Sequence, residues 1–194
     1  LRVVEEVGGL LSLHDRIGPL NSRPHSADRI LADIDRVARA LVLLGIRDES
    51  AWTLPPQVTL EVGRLAGGAP EPAVVPGAAL HVRDTIYLRV RNGFPHQTVY
   101  LNLFDVGVSY AVTRLTGMTP SGVRLPPGAE YVLGRHSLTG DLGGARLTWP
   151  AGLGTGAPRP ETLLAVITTA PQDLGHLQQA AVRDPFPVET AGSL

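Results

Sequence analysis

Between residues 57 and 115 apolar and polar side chains alternate in short stretches, the pattern of strands buried on one face. "QVTLEVGRL" (57–65) sets Val58, Leu60 and Val62 against Thr59, Glu61 and Gly63. "LHVRDTIYLRVRN" (80–92) places Ile86, Leu88 and Val90 on one side and Tyr87, Arg89 and Arg91 on the other. "QTVYLNLFDV" (97–106) repeats the pattern, with Val99, Leu101 and Leu103 alternating with Tyr100, Asn102 and Phe104. "VSYAVTRL" (108–115), "EYVLG" (130–134), "ARLTW" (145–149) and "ETLLAVITT" (161–169) continue the series. Between the last two strands of the first region, "NGFPHQ" (92–97) reads as a hairpin loop that presents His96 to solvent, and "AGGAPEPAVVPGA" (66–78) reads as a plain loop. Short strands parted by Gly/Pro turns, with no helices between them, predict a mainly β fold: an antiparallel β-sandwich of about seven or eight strands.

The period changes ahead of residue 46. Ile30, Ile34, Val37, Leu41 and Leu44 recur at three- and four-residue spacing, with Ser26 a suitable N-cap and Gly45 where a C-cap glycine belongs. The spacing predicts an amphipathic helix over 26–44, docked on something apolar. Residues 1–20 are ambiguous. A helix there would hold Gly8-Gly9 in its interior at roughly 1 kcal/mol each, so "LRVVEE" and "GLLSLHD" read better as two short strands. "PQDLGHLQQAAV" (171–182) is a short helical candidate, followed by a polar tail. The expected organisation is a strand-plus-helix connector (1–46), a β-sandwich domain (57–182) and a tail (183–194).

Composition narrows the chemistry. Apolar residues are 43% of the 194 positions, enough for a packed core. The net charge is −1 and charged residues are 18%, so there is no basic excess to neutralise a nucleic-acid backbone. All 17 basic residues are arginine, which excludes Schiff-base lysine chemistry and a P-loop lysine. Cysteine is absent, so no disulfide framework, thiolate nucleophile or cysteine zinc site exists, and a cytoplasmic setting is compatible. No apolar run reaches the ~20 residues of a membrane span, and no signal peptide is visible. The start at "LRVVEE", without an initiator Met, reads as an excised piece of a longer polypeptide.

Candidate reaction centres are weak. His14, His25, His81, His96, His136 and His176 are scattered, without HxH or HExxH spacing, so no metal site is expected. "PAGLGTGAPRPE" (150–161) imitates a phosphate loop, but proline follows it twice and no helix starts there. Ser121 and Ser137 sit in turn-like surroundings rather than in a nucleophile elbow. No cofactor is expected and no catalytic residue is assigned. The strip Tyr87, Arg89, Arg91, Tyr100 and Phe104 is different. Cross-strand pairing or cover from the 26–44 helix is the simpler account of it. Because Tyr, Phe and Arg are enriched at interfaces, the strip is also the candidate contact surface.

The order of the strands carries a resemblance. "DTIYLRV" (Asp84–Val90), "VYLNLFD" (Val99–Asp105), "PGAEYVL" (Pro127–Leu133) and "ETLLAVITTAPQDL" (Glu161–Leu174) follow one another along the chain. Together they resemble a β-rich accessory module found C-terminal to caspase-like (metacaspase-type) peptidase domains in bacterial, especially actinobacterial, proteins. "GLLSLHDRIGPL" and the helix after it resemble the segment joining peptidase to module, so the likeness spans 1–46 and 57–180. It implies a non-catalytic interaction or regulatory unit. Its protein partner would be the caspase-like peptidase domain of the same polypeptide or system, whose Cys–His pair cannot lie in this chain. The alternative expectation is a carbohydrate- or small-ligand-binding sandwich using Trp52 and Trp149. A third, a hydrolase, would need His96 or His136 near a serine and an acid.

Overall fold

The alternating stretches do form strands, but they divide between two sheets. The computed structural model describes residues 26–45, 56–74, 78–117, 119–136, 138–150, 159 and 161–182. A helix, α1 (Ser26–Gly45), precedes β1 (Val58–Ala66), β2 (Ala69–Ala73), β3 (Thr85–Asn92), β4 (Val99–Val106) and β5 (Val112–Arg114). The strands β6 (Val123–Leu125), β7 (Glu130–Leu133), β8 (Ala145–Arg146) and β9 (Thr162–Thr168) follow. The first sheet runs β2-β1-β3-β7, with β8 also on β3; the second runs β5-β4-β6, with β9 on the other side of β4. Every pairing is antiparallel.

The fold is a sandwich because each sheet has one fully apolar face. Val58, Val62, Leu88 and Val90 from the first sheet meet Val99, Leu101, Leu103 and Leu125 from the second in one buried cluster. All of them but Leu125 are positions that alternation assigned to the inside, which is why the class of fold could be read from period two.

The connection between β3 and β4 corrects the expected hairpin. β3 pairs with β1, β7 and β8, whereas β4 pairs with β5, β6 and β9. Residues 93–98 therefore carry the chain from one sheet to the other. Asn92, fully buried, pins this corner: its Oδ1 accepts from the Phe94 N–H at 3.0 Å, and its Nδ2 donates to the carbonyls of Gln97 and Leu125 at 2.8 and 2.9 Å. Gly93 lies so close to β1 that an added Cβ would sit 2.6 Å from the Gln57 carbonyl oxygen. Face-to-face stacking lets the apolar sides of both strands bury each other; side by side, both would have needed a separate cover. His96 is exposed, as expected.

Three further elements differ from expectation. β2 forms within the stretch expected to be a loop. Its sequence, "APEPA", holds two prolines, which are tolerated because this strand lies at an edge of the sheet. β6 is a three-residue strand that was not expected. Of the helical candidate over 171–182, only the 3₁₀ turn Gly175–Leu177 forms. Beyond it Gln179 bridges to Val112 instead.

α1 matches the expected span, but its buried face is rotated from the expected stripe. Ala40 and Leu43 are buried, while Ile34 and Leu41 are exposed. The last turn, "ALVLL" (40–44), is apolar all round, so the partner surface decides which side goes in. Ala40 lets the helix approach closely. It packs with Leu43 on Phe104, Val106 and Val112, with Tyr110, Leu164, Val166, Leu174 and Leu177 around them. The Gln179 amide donates to the carbonyls of Arg36 and Tyr110 at 2.8 and 2.9 Å, tying helix and second sheet together. The two strands expected within 1–20, the tail 183–194 and Trp52 lie outside the described residues.

Candidate functional site

The crossover splits the predicted strip. Tyr87, Arg89 and Arg91 lie on the outer face of the first sheet, and Tyr100 and Phe104 on the outer face of the second, with the core between them. Phe104 is 0% exposed, beneath α1. It is a core residue and cannot meet a partner. Tyr100 is half-buried and stands in register with Arg124 and Thr168.

The three that share the first sheet do form one structure. Register sets Tyr87 opposite Gly63, Arg89 opposite Glu61, and Arg91 opposite Thr59 on β1. On the β7 side Arg89 faces Val132 and Arg91 faces Glu130. The Tyr87 ring lies over Gly63, where an added Cβ would come within 2.3–2.4 Å of its outer atoms. That close cover leaves the tyrosine only 3% exposed although it is on the outside of the sheet. Its hydroxyl donates to Glu61 Oε1 at 2.6 Å, and Arg89 Nη1 donates to Glu61 Oε2 at 3.1 Å.

From there the charges run on. Arg89 Nε lies 3.8 Å from Glu130 Oε2, Glu130 Oε1 meets Arg135 Nη2 at 2.9 Å, and the Arg89 guanidinium stands 5.7 Å from the centre of the Tyr87 ring. The hydrogen bond to Glu61, then burial and the Glu61 charge, raise the Tyr87 pKa above its usual value, so the hydroxyl stays a donor. Apart from this network Arg64, in register with Ile86 rather than with the outer set, pairs with Asp84 at 3.4 Å, and Asp84 also accepts from the His81 N–H at 2.8 Å. Because Arg89 and Arg135 occupy Glu130, Arg91 is left exposed and without an ion pair among the described residues. Glu61, Gly63, Glu130 and Arg135 were not singled out from the sequence. Strand alternation could have put Glu61 and Gly63 on this face, but nothing in the chain announces which strand lies beside β3.

The other expected groups are apart. Among the described residues His136 Nδ1 accepts only from the Thr139 N–H, at 3.4 Å, within a turn. No cluster of three or more potential metal ligands occurs among the described residues. Trp149 is half-buried. One acid pair was missed altogether. Asp105 on β4 and Glu161 at the entrance to β9 share a hydrogen bond, and their Oδ2 and Oε1 atoms lie 3.7 and 4.0 Å from where a Cβ would stand on Gly107. Burial first, then the Glu161 charge and hydrogen bond, push Asp105 up to about 7. Burial raises Glu161 as well, against a lowering by the bond from Asp105.

No family model, no curated protein and no solved structure matches this chain. None of these comparisons links the chain to caspase-like peptidases. In the fold itself, "DTIYLRV" supplies the centre of the first sheet and "VYLNLFD" the centre of the second. No helix among the described residues is long and apolar enough to cross a membrane.

Proposed function

We propose that this chain is a non-catalytic recognition module of a bacterial caspase-like peptidase system, acting in the cytoplasm by holding a partner or substrate segment on the outer face of its first sheet. The observation that carries the reading is the contrast on that face. A ladder of paired charges, Glu61–Arg89–Glu130–Arg135, flanks an exposed arginine, Arg91, that has no ion pair among the described residues. Paired side chains hold their geometry before binding, so little ordering entropy is lost when a partner arrives. A free guanidinium beside them supplies a bidentate site for a carboxylate. The partner segment is accordingly acidic, and a strand or loop of the peptidase domain fits.

The test is direct titration of the purified chain with the caspase-like peptidase domain encoded beside or ahead of it, by calorimetry and by peptidase assay. Binding that weakens at least tenfold in Arg91→Glu, with unchanged folding, supports the reading. Absence of both binding and any effect on peptidase activity overturns it.

A further inference from the structure

Every sheet has edges, and exposed edges offer unpaired N–H and C=O groups to other chains. Among the described residues this fold blunts all but one of them. β2 carries two prolines and a glutamate, β7 is four residues long and begins with Glu130, and β5, β6 and β8 are two or three residues each. The outer side of β5 is further covered by the bridge from Gln179 to Val112. β9 has none of these devices. It is "TLLAVIT", seven residues without charge, proline or glycine.

Among the described residues β9 pairs only with β4, over its whole length from Thr162 to Thr168. No backbone hydrogen bond leaves its other side for a described residue. In an antiparallel ladder alternate residues bond to the same neighbour. About half of this strand's peptide groups therefore point to the open edge. Its side chains are anchored on both faces, with Leu163, Ala165 and Ile167 in the inter-sheet core and Leu164 and Val166 in the α1 cluster. The strand is thus held straight and presented.

We infer that β9 is a dimerisation edge whose occupant is the β9 of a second copy, paired antiparallel about Ala165. The sequence is self-complementary in that register. Thr162 falls opposite Thr168 of the other copy, Leu163 opposite Ile167, Leu164 opposite Val166, and Ala165 opposite itself. Thr–Thr and aliphatic pairs are favourable cross-strand neighbours, and no like charges meet. A two-fold axis through Ala165, normal to the sheet, keeps inner faces on the same side. Each core then continues into the next, and the interface is isologous and closed. The outer face of the first sheet stays free in both copies, so the dimer would present two copies of the Arg91 surface. Edge pairing of this length buries less than a standard interface, so a dissociation constant in the micromolar range is expected.

Sedimentation from micromolar to near-millimolar concentration should show a shift from 20.5 kDa to twice that mass. Amide protection in 163–167 should rise with concentration. Because the chain has no cysteine, Ala165→Cys adds a single thiol at the two-fold. Directly opposed Cα atoms in such a pair lie about 4.5–5.5 Å apart, within disulfide reach. Mild oxidation should cross-link Ala165→Cys across copies, and a mixture of Thr162→Cys with Thr168→Cys should give a heterodimer if the first variant folds poorly. The exposed control Thr113→Cys should not cross-link. A chain that stays monomeric throughout overturns the inference. So does β9 protection independent of concentration, which would mean the chain's own residues cover the edge. A dimer that cross-links at the control and not at 165 overturns it too.

Discussion

The two outer faces of the sandwich are built on strands of nearly equal length and similar alternation, yet they end up as opposites. On the first sheet, Tyr87, Arg89 and Arg91 remain outside, stitched to Glu61 and Glu130. On the second, Phe104 and Val106 are as buried as the core because α1 and the 174–177 turn region close over them, and Asn102 is buried beside Gly122. The difference teaches that an aromatic in an outward strand position does not mark a surface. Its neighbours decide: Tyr87 has charged groups that satisfy its hydroxyl, whereas Phe104 is packed among the apolar side chains of Ala40, Leu43, Val106 and Val112. Charged neighbours leave a face that water or a partner can occupy; aliphatic neighbours demand a cover.

The contrast can be broken most severely at Phe104. Phe104→Ala removes a wholly buried ring from beneath α1 and should cost about 3–5 kcal/mol of stability, read as the shift in urea midpoint. A loss below about 1 kcal/mol would mean that the helix does not cover this face in solution. On the other face the corresponding structural point is Gly63. Gly63→Ala drives a methyl group into the Tyr87 ring, with an expected loss of about 1–3 kcal/mol. In a Tyr87→Ala background the same change should cost far less, and a double-mutant cycle measures that difference.

A third effect depends on pH and belongs to the covered side. Asp105 holds its proton up to about 7 when folded, against about 3.9 for an unfolded aspartate. Between those values the folded chain binds a proton that the unfolded chain has released, so stability should fall as pH rises from 4 to 7 and level off above. Denaturation midpoints across that range should show the decline, and Asp105→Asn should flatten it. A profile equally steep in Asp105→Asn would place the titration elsewhere.

The smallest effects are expected among the exposed charges. Arg89→Ala breaks the pairs to Glu61 and Glu130, but each partner's side chain is 37% exposed, and solvent screening limits the loss to about 1 kcal/mol or less. Arg91→Glu should leave stability within about 0.5 kcal/mol of the parent while weakening the proposed peptidase interaction. If Arg91→Glu instead destabilises the fold as much as Gly63→Ala, the face is structural rather than recognitive.

Legibility from the chain followed the range of the interaction involved. The helix ends at Ser26 and Gly45 and the strands at 58–66, 99–106 and 162–168 could be read from local period and caps. The hairpin expectation over 92–97 failed because a six-residue turn rich in Gly and Pro looks the same whether it joins neighbours in a sheet or carries the chain to the opposite layer. The buried amide of Asn92, bonded to Gln97 and Leu125, belongs to the second case, and Leu125 lies 33 residues away. The candidate surface was half legible: Arg89 and Arg91 stand outside as alternation required, but Glu61, Glu130 and Arg135 join them only through strand order. The Asp105–Glu161 pair joins residues 56 positions apart, which no local pattern connects.

By itself the sequence determined the class of fold, the inward and outward sets on each main strand, the span of α1 and the absence of lysine and cysteine chemistry. Those are consequences of period, composition and local backbone preference. Tertiary structure alone decided which strands are neighbours, which outward face is covered, which side of an all-apolar helix end turns inward and which strand, β9, has a single partner among the described residues. These depend on contacts between residues far apart in the chain, whose strength comes from mutual burial and register rather than from any residue's own preference.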